Sequence, residues 1–227
     1  MSINKQIFLF LLLFPLHANA QQFKAGIDIG CTASDVYGAD IIPDADAWNN
    51  TNFQKVGFMI GGNVSTALEK KTILQMEINY IQKGTQQTGD STGQGFYKFS
   101  FNYVEVPLSV KYRLNMDDKT KRSFEFHGGV SAGKLIRSKA QGTNFYTIDD
   151  YSYLNRTDVS LLAGMGYNFS THISFSVRYS NSLIPVFKRL NSPVFFAQSL
   201  NVGNNMVLHF ILQYTFQAKK STAVSEE

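Results

Sequence analysis

Ionisable side chains recur on one phase of an alternating pattern: Asp28, Glu77, Glu105, Lys111, Arg113, Glu125, His127, Asp158, Arg178 and His209. Both signs of charge are present, so the first chemistry this set supports is an interior network of ion pairs and hydrogen bonds, because buried charges need partners. A second is a gated narrow pore lined by Glu105 and Arg113. A third is acid–base or nucleophilic chemistry. His127 and Ser131 share a phase, but no compact Ser–His–Asp set can be assembled around them. The loop aspartates Asp44, Asp46, Asp90, Asp149 and Asp150 could bind calcium or act as an acid–base pair, although solvated loop charge is the plainer reading. Cys31 is the single cysteine, which excludes an internal disulfide and thiolate-built zinc sites. No catalytic, cofactor or metal residue is assigned.

The elements that must position this row are strands. In the run 206–216 the positions Met206, Leu208, Phe210, Leu212, Tyr214 and Phe216 are apolar, and Val207, His209, Ile211, Gln213 and Thr215 are mixed. Period two means a strand with two environments. Such a length suffices to cross a bilayer at a tilt, for which about 9–11 residues are needed. Similar patterns predict strands over 23–31, 55–67, 72–83, a stretch ending at 114, 123–137, 156–169 and 172–183. The outward rows include Ile27, Phe58, Ile78, Val106, Phe126, Met165 and Phe175. Inward glycines at 57, 61, 129, 133, 164 and 166 are expected to make room for Arg and Tyr.

The first twenty residues read as a leader: Lys5, an apolar core from Ile7 to Leu16, and Ala18-Asn19-Ala20 before Gln21. The core is too short for a spanning helix. Domain organisation is therefore a signal peptide at 1–20, one barrel over 21–217 and a polar tail over 218–227. The chain has 21 Lys and Arg against 17 Asp and Glu, a net charge of +4. That small scattered excess, without a basic stripe, argues against nucleic acid as a partner.

Connections alternate in length. Short polar turns fall at 69–71, 115–122 and 170–171, and long Gly-, Asn-, Asp- and Ser-rich segments join the remaining strands. Outer-membrane barrels show an even strand number, short periplasmic turns and long outer loops. Aromatics at Phe23, Tyr112, Phe124, Phe126, Tyr167, Phe169, Phe175, Tyr214 and Phe216 gather at the predicted periplasmic rim, where amphipathic rings favour the headgroup level. Pro107 lies within strand four, and a local bulge is expected there. In the loops, Trp48, Phe187, Phe195 and Phe196 are candidate interaction residues, since exposed apolar groups mark binding sites. Lipopolysaccharide or an envelope protein would be their partner. Folding over the barrel mouth is the alternative for the segment holding Phe187.

Several segments resemble the PorT-like outer-membrane β-barrel family of Bacteroidetes: 23–30 (FKAGIDIG), 77–84 (EINYIQKG), 103–113 (YVEVPLSVKYR), 164–167 (GMGY) and 178–184 (RYSNSLI). The resemblance implies an eight-stranded outer-membrane barrel in which a proline at the position of Pro107 is a family feature. One branch belongs to the type IX protein secretion apparatus.

The expectation is an all-β, eight-stranded antiparallel transmembrane barrel with four long outer loops, resident in the bacterial outer membrane and in contact with its lipid and lipopolysaccharide. Its role would be structural or interactive, through the loops, and not enzymatic. An accessory role in a secretion apparatus, an enzyme at the rim, and a soluble lipocalin-type barrel with its apolar rows inside are the alternatives.

Overall fold

Alternation over eight segments produces a sheet that meets its own first strand. The computed structural model describes residues 23–37, 53, 55–87, 97–115, 122–142, 154–187 and 203–216. Its strands are β1 (Lys24–Tyr37), β2 (Lys55–Ala67), β3 (Thr72–Gln87), β4 (Tyr97–Asn115), β5 (Ser123–Gly142), β6 (Thr157–Asn168), β7 (Ile173–Ser182) and β8 (Asn204–Thr215). Each pairs antiparallel with its sequence neighbour, and β8 pairs back to β1, closing the barrel. Closure satisfies the backbone without leaving an edge, which a bilayer requires.

The apolar rows face out. Val56 is 69 % exposed and Ile78 and Met165 59 %, whereas Asp28 and Glu77 inside are 1 % and 2 % exposed. A soluble lipocalin-type barrel has the opposite arrangement, so that alternative is excluded. The rim aromatics also lie on the outward face, with ring centroids 4.9 Å apart for Phe124 and Tyr167 and 5.4 Å for Tyr214 and Phe216. The leader, the tail from 218 onward, the loop aspartates, Trp48, Phe195 and Phe196 lie outside the described residues.

β1, β3 and β5 run past their predicted outer ends, to Tyr37, Gln87 and Gly142. β3, β4 and β5 have 16, 19 and 20 residues, well beyond the roughly 9–11 a crossing needs. Their outer ends form a hairpin-like wall in place of loop. Within that wall the pattern inverts. Below it, β4 turns Val104, Val106 and Leu108 outward and Glu105 inward; above it, Phe101 and Tyr103 are buried inside and Ser100 and Asn102 lie on the outer side.

Two irregularities differ from expectation. At Pro107 the ladder to β3 lapses, but Met76↔Leu108 and Asn79↔Glu105 keep one register on either side. The missing N–H is absorbed by a gap and not by a bulge. The bulge lies higher, where β5 shifts register against Asn102 and Tyr103. There Ile136 and Arg137 both face out, between buried Leu135 and Ser138.

An apolar cluster fills the outer end of the interior. Val36, Met59, Ile81, Phe101, Tyr103, Leu135, Leu154, Val186, Phe187 and Ile211 pack together, with Phe99 against them. Phe187, expected as a loop interaction residue, is 4 % exposed and meets Phe99 and Phe101 edge-on at 5.9 and 6.2 Å. The segment after β7 turns back over the mouth, pinned by a Leu154↔Phe187 bridge and by Asn155 N–H donating to Val186 O at 2.8 Å. Burying this ring stabilises more than exposing it to water, by about 1.5–3 kcal/mol.

Candidate functional site

Beneath the plug, the inward row forms three polar clusters, the lower two linked by a hydrogen bond from Gln213 to Gln75. In the outer one, Lys83 is fully buried and reaches two carboxylates. It forms an ion pair with Glu105 and another with Asp158, the latter at 3.0 Å. Asp158 also accepts from Ser160 Oγ at 3.2 Å and from Asn205 Nδ2 at 3.3 Å. The Lys83 ammonium lies 5.3 Å from the centre of the Tyr103 ring, a cation–π distance.

At mid-height, Arg178 on β7 reaches across the lumen to Glu77 on β3. Its Nη1 and Nη2 donate to the two carboxylate oxygens at 3.0 and 2.6 Å. Gln75 and Asn79, two residues to either side on the same face, donate to the same carboxylate at 2.8 and 2.9 Å. This bidentate geometry is the strong form of an arginine–carboxylate pair. Nearby, Asn63 Nδ2 donates to Asp28 at 2.9 Å.

Toward the end bearing the short turns, Lys111 pairs with Glu125 at 3.2 Å and donates to Gln213 at 3.1 Å. Asn168 donates to Glu125 at 3.0 Å, and Gln213 Nε2 to Gln75 at 3.4 Å, linking this cluster to the middle one. Arg113 is half-exposed and lines a vestibule of about 500 Å³ with Lys111, Glu125 and Arg122. Glu105 and Arg113 are eight positions apart on one strand, roughly 26 Å. They do not form one constriction.

The two interior histidines are placed differently. His209 shares a hydrogen bond with Ser180 at 2.8 Å, but its Nδ1 has no partner, so no carboxylate completes a triad. His127 is buried with both ring nitrogens unpartnered. Ser131 lies four positions along the same strand, roughly 13 Å away and beyond hydrogen-bond reach. No group of three or more metal-ligating side chains occurs among the described residues.

The inward glycines make room, but for other side chains than Arg and Tyr. Gly61 faces Asn79, Gly133 faces Glu105, Gly164 faces the His127 ring, and Gly166 faces Glu125. A Cβ on Gly133 would lie 2.9 Å from Glu105 Cγ. All ten residues expected in the interior row thus lie on the inward face. Glu77, Glu105, Lys111, Glu125, Asp158 and Arg178 are joined by ion pairs, and Asp28 is held by Asn63; Arg113, His127 and His209 make no ion pair among the described residues.

The residue that sequence reasoning missed is Lys83, the hub of the outer cluster. Its signal was the continuation of the row Gln75, Glu77, Asn79 by two more steps, interrupted by Ile81. Lys55, buried at the outer end of β2, was missed in the same way.

A closed barrel with lipid-facing apolar rows, aromatic rims and a polar packed lumen is an integral β-barrel of the outer membrane. Residues 19–188 match the family described as "Outer membrane protein beta-barrel domain", and the chain belongs to that family. Among solved structures it is similar to Ail, the attachment invasion locus protein of Yersinia pestis, crystallised with the heparin analogue sucrose octasulfate. That likeness has 13 % identity and a TM-score of 0.44, over 86 % of this chain and 99 % of that one. It is also similar to Neisserial surface protein A, at 12 % identity and a TM-score of 0.43 over 86 % and 97 %. For OprG of Pseudomonas aeruginosa the values are 12 %, 0.41, 86 % and 95 %. Among curated proteins, none matches.

Proposed function

We propose that this chain is a non-enzymatic interaction protein of the outer membrane, working through the surface it presents outside the cell. The observation that carries this reading is the filled interior. Among the described residues, three ion-paired clusters occupy the lumen and the apolar cluster around Phe187 fills its outer end, so the interior is taken up by structural pairs and the vestibule at the short-turn end does not continue to the outer mouth. Function then falls to the outer loops, with Trp48, Phe195 and Phe196 as anchors for lipopolysaccharide or an envelope protein.

The test is a photo-crosslinking side chain at Trp48 or Phe195 in cells, with single-channel recording on purified protein. The reading expects a discrete crosslinked species, lost when the neighbouring loop aromatics become Ser, and no stepwise conductance. Steady conductance steps with no crosslinked species would overturn it.

A second reading is an accessory part of a type IX-like secretion apparatus, favoured by the PorT-like stretch 103–113. In that stretch Glu105 and Lys111 are spent on interior pairs, which leaves few polar groups there for a partner. Accumulation of secreted cargo in the periplasm of a deletion strain would establish this role; unchanged secretion would dismiss it.

A further inference from the structure

The bulge in β5 does more than relieve a register conflict. Without it, the alternation of β5 would carry Arg137 and Lys139 into the lumen, on the phase of Glu125, Ser131 and Leu135. With Ile136 and Arg137 both turned out, the phase changes and Arg137, Lys139 and Gln141 are exposed on the outer side, while Ser138 and Ala140 are buried. Bulges re-aim side chains in this manner. Lys134, already outward, completes a run of three exposed cations around Ile136, spanning about 15 Å at strand rise.

The height of this run is fixed by its cross-strand partners. Lys134 pairs with Val104, Arg137 with Asn102 and Lys139 with Ser100. Val104 is the last apolar residue of the outward row of β4, and Asn102 and Ser100 are the first polar ones. The cations therefore begin where the lipid-facing row ends, at the level of the outer headgroups. Their aliphatic stems can lie along Ile136 and Val104 while their charges reach that level.

The patch is also one-sided. Among the described residues, the outward rows of β4, β5 and β6 contain no Asp or Glu, and Lys134, Arg137 and Lys139 make no ion pair. Exposed Arg156 stands beside them, its carbonyl accepting the Leu135 N–H at 2.8 Å. The outward outer ends of β1, β2, β7 and β8 carry no Lys or Arg.

We infer that Lys134, Arg137 and Lys139 form a lateral binding site for the phosphorylated headgroup of an outer-leaflet lipid. The ligand is anionic, amphiphilic and bound from within the membrane plane: Arg137 offers a planar fork for phosphate, the lysines add charge, and Ile136 and Val104 meet the acyl chains below. The site rests on the outer-membrane placement of the barrel and is independent of the loops.

The experiment uses the full chain in neutral micelles, titrated with phosphorylated lipid A and with its dephosphorylated form, bound lipid being read by native mass spectrometry. The triple variant K134Q/R137Q/K139Q is compared with K70Q/K71Q at a turn of the opposite end. The site predicts that the triple variant loses about 100-fold in affinity, from roughly tenfold or less per cation. The turn variant should stay within about twofold, and binding to the wild type should weaken as salt rises. Equal binding of the triple variant, or equal binding of dephosphorylated lipid, overturns the inference. So does binding of a soluble sulfated oligosaccharide without binding of the lipid. Should the triple variant fail to show the heat-dependent gel shift of a folded barrel, Arg137→Gln alone and the salt dependence decide. Failure here leaves the loop reading standing, since crosslinking at Trp48 reports on a different surface.

Discussion

Replacing Lys83 by Met removes the one cation that holds two buried carboxylates. The ammonium is fully buried, and Glu105 and Asp158 are 5 % and 3 % exposed at their side chains. Met matches the stem in length and apolar character, so packing is conserved and the change isolates the charge. Breaking a buried pair by removing one partner costs about 3–5 kcal/mol, because the remaining charge is stranded. At a urea dependence of about 2 kcal/mol per molar, the unfolding midpoint should fall by about 2 M. The assay is urea unfolding of refolded barrel in lipid vesicles, followed by tryptophan fluorescence and the gel shift. Neutralising the stranded partners as well, in K83M/E105Q/D158N, should recover most of the loss, since removing all members of a buried network is close to neutral. A loss below about 1 kcal/mol, the value of a solvated pair, would refute the reasoning. So would a triple variant no better than K83M.

Three further outcomes follow from the same geometry. Gly133→Ala should cost about 1–3 kcal/mol by pushing Glu105 off Lys83, and the cost should vanish in a Glu105→Ala background, because only Glu105 atoms stand in the way. Phe187→Ala should cost about 3–5 kcal/mol and speed hydrogen exchange at Asn155 and Val186, measured by mass spectrometry, while leaving amides around Glu77 unchanged. Arginine placed on the outward face should cost about 2–4 kcal/mol at Ile78 but only about 0–1 kcal/mol at Ile136, measured in vesicles, because the penalty falls from the bilayer middle to its surface.

The barrel was legible because one physical rule governs most of it: apolar to lipid, polar to lumen, with period two. β7 follows that rule over most of its length, with Ser174, Ser176, Arg178 and Ser180 inward as its alternation predicts, whereas buried Leu162 on β6 and Val207 and Ile211 on β8 are apolar residues on the luminal face. It fails where the lipid ends. On β4 the row Phe99, Phe101 and Tyr103 obeys the opposite rule, that of a chain in water with an apolar inside, and periodicity alone carries no mark of where one solvent gives way to the other. The bulge at Ile136 is hidden for a related reason, since one extra residue changes the phase and makes Arg137 and Lys139 look luminal. Lys83 was lost behind Ile81, which belongs to the plug and interrupts the polar row. For Phe187 the sequence leaves both a loop contact and folding over the mouth open, because its burial depends on a segment distant in sequence folding back to meet Phe99 and Phe101; the structure has the second. Pro107 was placed correctly as a fault in the ladder, but a gap toward β3 absorbs it at less distortion than a bulge.

Cys31 gives the most direct test of the central claim, that the apolar rows of this barrel face lipid. It is the only cysteine, it is exposed, and it pairs across strands with Phe58 and Phe210 on the outward face. A nitroxide attached there in reconstituted vesicles should relax chiefly with oxygen, which concentrates in the bilayer, and little with a water-soluble nickel chelate. Dominant relaxation by the nickel chelate would put Cys31 in water and contradict the account.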